Sequence, residues 1–89
     1  MGVHSYTVKC YRETPGDAGC HDVPAFGDSL DDCVTLAGQM LLAYHNSPKR
    51  TAAQKPTTAH LEDEHGAIVA RIRATGPDAV ARIAGPTNA

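Results

Sequence analysis

The chain has 89 residues and a formal net charge of −2, and its 42% apolar fraction includes no Trp, one Phe and three Tyr. That length supports one small domain and excludes a second core, while the charge argues against a dedicated nucleic-acid binder, which carries a basic footprint. No apolar run approaches the ~18 residues of a membrane span, and MGVHSYTVKC lacks the basic start and apolar stretch of a secretory signal.

Val3 to Arg12 alternates as a strand does, with His4, Tyr6, Val8 and Cys10 on one face and Ser5, Thr7, Lys9 and Tyr11 on the other. The turn formers of ETPGDAG, Glu13 to Gly19, end it. Cys20 to Phe26 is expected to pair back as a short second strand, and Pro24 within it points to a sheet edge or an irregular segment. Asp28 or Ser29 then caps a helix over about residues 29–45, with Asp31 and Asp32 where the helix dipole favours acids. Leu30, Cys33, Val34, Ala37, Leu41 and Tyr44 recur at helical spacing, and Leu36, Met40 and Leu42 widen the apolar stripe. Asn46-Ser47-Pro48 stops the helix.

Residues 46–58 are polar and aperiodic, and read as a mobile connection. HLEDEHGAIVARIR, His60 to Arg73, resolves into two strands around Asp63-Glu64-His65-Gly66. In that turn Asp63 can bond back to the backbone and Gly66 can take a positive φ. Ile68, Ala70 and Ile72 should face the helix, with Val69, Arg71 and Arg73 opposite. PDAVARIA between two Gly-Pro pairs predicts a short C-terminal helix over about 77–84, and 86–89 should be a flexible tail. The expected fold is a single α+β domain over 1–85. It is a small, mainly antiparallel sheet of order β-β-α-β-β, with the main helix on one face and the short helix at the end.

Several residues could carry chemistry. His60 and His65, with Cys20 and His21, are zinc-ligand types. Same-face neighbours on a strand stand almost 7 Å apart, about two strand rises, and His65 belongs to the turn, so a solvated acidic strand and tip is favoured over a metal site. Cys10 and Cys33 read as small core residues, and Cys20, after a Gly-rich turn, as the one exposed thiol. Three cysteines close no disulfide framework, so reduced thiols in a soluble, cytoplasmic protein are expected. No phosphate loop, nucleophile elbow or HExxH is present, so no catalytic residue and no cofactor are assigned, and an enzyme is disfavoured. Lys49, Arg50, Lys55, Arg71 and Arg73 could form a basic patch, but no aromatic stacking platform accompanies them. Nucleic acid is therefore a lesser expectation than a protein partner.

The layout of strand, second strand, GDSLDDCVTLAGQMLLAYH helix and acidic HLEDEHGAIVARIR hairpin resembles a group of small bacterial proteins of unknown function over most of the chain. That likeness brings no functional residues. PAFGDSLDDCVTLAGQMLLAYH, residues 24–45, is similar to HicB-like antitoxins, in which a strand ending Gly-Asp-Ser/Thr-Leu opens a helix. The resemblance implies a partial RNase H-like fold and a role in neutralising a toxin. The chain departs from the family pattern: it lacks the preceding acidic-Gly-Gly strand pair and a following DNA-binding segment, and has Cys33 where Ala is usual. The expectation is a non-enzymatic binding or regulatory module that self-associates. The small Ala-rich core and an uncovered sheet edge favour a homodimer or a small protein partner, with the toxin-neutralising or nucleic-acid-associated regulator as the alternative.

Overall fold

Helix α1, Leu30–His45, starts at Ser29, whose Oγ accepts the Asp32 N–H at 3.1 Å, with Asp31 and Asp32 in its first turn. This satisfies one of the unpaired donors of the first turn and places negative charge at the positive end of the dipole. The computed structural model describes residues 3–83. Before α1 come strands β1, His4–Tyr11, and β2, Val23–Gly27. After it come a single 3-10 turn, Ala52–Gln54, then β3, Thr58–Glu62, β4, Ile68–Gly76, and β5, Ala79–Ile83. All five strands form one antiparallel sheet in the order β2-β1-β3-β4-β5.

The small α+β architecture and the antiparallel sheet agree with the sequence reading, and so does the edge position of β2, which carries Pro24. Helix α1 covers one face through Cys33, Ala37 and Leu41. These meet Val8 and Cys10 of β1, Ala25 of β2, Ala59 and Leu61 of β3, and Ala70 and Ile72 of β4. Val8, Leu41, Leu61 and Ile72 are the only large aliphatic side chains in this buried cluster; the rest are Ala and Cys. The chain's one Phe, Phe26, is 58% exposed and contributes nothing to it.

The C-terminal helix expected at 77–84 is a strand instead. Pro77-Asp78 is the two-residue link between the paired Gly76 and Ala79, and β5 runs back along β4 to Ile83. Pro followed by Ala-rich sequence suits a helix start and a turn equally well locally. A two-turn helix with only Val80 and Ile83 as large apolar groups would bury little, whereas a strand pairs its backbone groups with β4. Helix α1 allows this at Gly38, where a Cβ would stand 3.1 Å from Val80 Cγ2. The element order therefore gains a third strand after the helix, and the sheet has five strands where four were expected. Residue 84 and the tail at 86–89 lie outside the described residues.

A second correction concerns β4. Leu61 pairs with Ala70 but Glu62 pairs with Ile68, so Val69 is the extra residue of a bulge. Ala70 and Ile72 face the helix as expected, but Val69 packs against the core cluster where Ile68 was expected to. Within 46–58, Arg12 Nη1 donates to the carbonyls of Ala52 and Lys55 at 3.1 and 2.9 Å, and Pro56 is buried.

The β3–β4 hairpin follows its sequence closely. Asp63 Oδ1 accepts the N–H groups of His65 and Ala67 at 2.8 and 2.9 Å, and Gly66 has φ +80°. A Cβ at residue 66 would cost about 1–2 kcal/mol in that left-handed region. Gly66→Ala should lower the urea midpoint accordingly and Gly66→Asn by less, because Asn tolerates this conformation. Equal stability of the Ala variant and the wild type would show that the turn relaxes.

Candidate functional site on the helix-free sheet face

Alternation in the strands sends one set of side chains away from α1. On this face lie Lys9 and Tyr11 from β1, Thr58, His60 and Glu62 from β3, and Arg71 and Arg73 from β4. Lys9, His60 and Arg71 form one cross-strand row; Tyr11, Thr58 and Arg73 form the next. Despite facing away from the helix, Tyr11, Thr58 and His60 are buried, and His60 is only 1% exposed.

Tyr11, His60, Glu62 and Lys9 form a connected chain of polar contacts. Tyr11 Oη lies 2.7 Å from His60 Nδ1, and His60 Nε2 lies 2.7 Å from Glu62 Oε2. Lys9 Nζ is 3.4 Å from the same Glu62 oxygen and 3.9 Å from Asp22. The Nε2–H of His60 donates to the ionised Glu62 carboxylate, and Nδ1 and the Tyr11 hydroxyl are hydrogen-bonded to each other. Burial pushes the Glu62 carboxyl up, but the His60 hydrogen bond and the Lys9 ammonium outweigh it and hold it below the ordinary glutamate range. Tyr11 and His60 also pack edge-on, with ring centroids 5.2 Å apart. Both ring nitrogens of His60 are engaged within the chain, and the network ties β1 to β3.

Sequence reasoning did not anticipate this network, and His60 does not belong to a solvated acidic strand. Its partner Tyr11 lies 49 positions away in the chain, joined to it only by the β1–β3 register. The local signal was the His60-x-Glu62 spacing, which on a strand places the two side chains together on one face.

The other candidate residues are dispersed. His65 sits exposed at the hairpin tip, 3.3 Å from Glu64, and does not meet His60. Cys20 is half-buried against the helix-side core, and burial raises its thiol against a smaller downward pull from Arg50. His21 is exposed. The Cys10 thiol is pushed up to about 12, chiefly by burial. No three His, Cys, Asp or Glu residues converge as a metal site among the described residues.

The five basic residues divide between the two sides. Arg50 stacks 4.5 Å above the Tyr44 ring and donates to the carbonyls of Ala18 and Gln54. Lys49 is exposed and Lys55 half-buried in the 46–57 segment, while Arg71 and Arg73 lie on the helix-free face. At the hairpin end, Val3, His4, Tyr6, Asp63, Glu64 and His65 line a cavity of about 360 Å³. A smaller one of about 130 Å³ borders Pro24, Phe26 and Glu62. Hydrogen bonds from the Ala67 and His65 backbones hold the Asp63 carboxyl there below the usual range.

No helix among the described residues is long and apolar enough to cross a membrane. No protein-family model matches the chain, and no curated protein or solved structure matches it.

Proposed function

We propose that this chain is a non-enzymatic binding module that self-associates, two copies joining through β5. The observation that carries the reading is the state of that edge strand. Four of its five residues are exposed, and the sequence AVARI contains no Pro. Its one charge, Arg82, turns to the helix side, where Nη1 reaches Asp31 Oδ1 at 3.2 Å. Edge strands are ordinarily protected by proline, charge or a covering element; β5 has none of these along its outer side among the described residues. A second copy would satisfy its outward N–H and C=O groups and add apolar burial to a core with few large side chains. The burial of His60 within the Tyr11–His60–Glu62 chain supports a non-enzymatic role, because its imidazole is out of reach of a dissolved substrate. Three free cysteines fit a reducing, cytoplasmic setting.

Light scattering tests this directly: the wild-type chain should show twice the monomer mass. Ala81→Lys and Ala81→Glu place charges at the middle of β5, where a two-fold pairing sets like against like. Each variant should be monomeric with an unchanged circular dichroism spectrum, and mixing the two should restore the dimer. A wild-type monomer at millimolar concentration would overturn the proposal. Co-purification with a small basic protein in place of the dimer would favour the antitoxin-like alternative suggested by residues 24–45.

A further inference from the structure

Arg71 Nε is enclosed by the protein and makes no hydrogen bond to any described residue. Across β3 stands His60, both of whose ring nitrogens are taken. Across β5 stands Ile83, and two residues along β4 on the same face is Arg73. Glu62 is held by His60 and Lys9.

Arg71 and Arg73 also differ from the other arginines of the chain. Arg82 pairs with Asp31, and Arg12 and Arg50 donate to backbone carbonyls. Neither Arg71 nor Arg73 meets a carboxylate among the described residues. Their Cα atoms stand almost 7 Å apart, about two strand rises, a separation from which two guanidinium forks can close on one oxyanion.

We infer that Arg71 and Arg73 form a binding site for a phosphate-type dianion, the terminal group of a phosphomonoester or free phosphate. Two guanidiniums match two negative charges, and Arg71 and Arg73 reach the anion through their terminal Nη groups. A polynucleotide fits less well: Tyr11, the aromatic residue of this face nearest the pair, is buried edge-on to His60 and offers no stacking surface. The site stands on the sheet face rather than its edge, so it is independent of pairing through β5.

The arginine Nε–Hε resonances report on it directly. In a titration of the wild-type chain with inorganic phosphate at constant ionic strength, the Arg71 and Arg73 signals should move saturably. Arg73→Gln, an exposed position, should weaken binding roughly tenfold or more by removing one charged fork, while Lys49→Gln should leave it unchanged. Methyl phosphate binding as well as phosphate would assign the site to phosphomonoesters; inorganic phosphate alone would assign it to the free ion. Either result supports the inference. A linear drift matching a chloride control, acetate binding as tightly as phosphate, or equal weakening by Lys49→Gln would overturn it. So would a salt-sensitive single-stranded oligonucleotide displacing phosphate from both arginines.

Discussion

Leu61→Ala should cost about 3–5 kcal/mol, the upper part of the range for a buried leucine, and lower the urea midpoint with little change in m. Leu61 is fully buried on β3, the central strand, between Val8 of β1 and Ala70 of β4. The cost of such a truncation depends on how far the neighbours can collapse into the space. Here much of the surrounding cluster is Ala and Cys, namely Ala25, Ala37, Ala59, Ala70, Cys10 and Cys33, whose short side chains cannot swing inward. A chain of this length has roughly 4–13 kcal/mol of stability in total, so the loss would leave a marginal protein. Leu36→Ala is the comparison, since Leu36 lies on the outer side of α1 with 36% of its surface exposed; it should change stability by no more than about 0.5 kcal/mol. A Leu61→Ala cost as small as that of Leu36→Ala would mean that the core is loosely packed.

His60→Leu should cost about 2–4 kcal/mol, although the two side chains are similar in bulk. The substitution strands the buried Tyr11 hydroxyl and deprives Glu62 of its 2.7 Å donor. Adding Tyr11→Phe should recover part of the loss, because removing both partners of a buried hydrogen bond is cheaper than removing one. A double variant less stable than His60→Leu alone would refute the assigned chain. Glu62 adds a pH dependence whose direction follows from its lowered carboxyl. Its contribution is complete above the ordinary glutamate value of 4.5 and is lost as pH falls through the lower value of the folded state. Between about pH 6 and about pH 3, stability should fall less steeply in Glu62→Gln than in the wild type.

Features set by neighbouring residues were readable from the chain alone. Ser29 and Asp32 are three residues apart, Asp63 and Gly66 likewise, and each pair specifies its cap or turn without outside help. What escaped depends on distant parts of the chain. AVARI became a strand because β4 offered an edge and Gly38 left room for Val80, neither of which is visible in the segment itself. The exchange of Ile68 for Val69 needed a bulge that strand alternation cannot foresee. The burial of His60 required Tyr11 from another strand, and the orphaned Arg71 Nε follows from the same cross-strand row. The separation of Arg50 from Arg71 and Arg73 came from Tyr44, whose ring holds Arg50 near the helix.

Pro24, at the other margin of the sheet, has a consequence for the size of any assembly. A proline offers no N–H to an incoming strand, so β2 is a poor template for growth. Pairing of β5 with its own copy would consume the one receptive border of each molecule and leave the proline-bearing borders outermost. Association would then stop at ten strands rather than run on into fibres, with stoichiometry limited by one residue at the far side of the sheet.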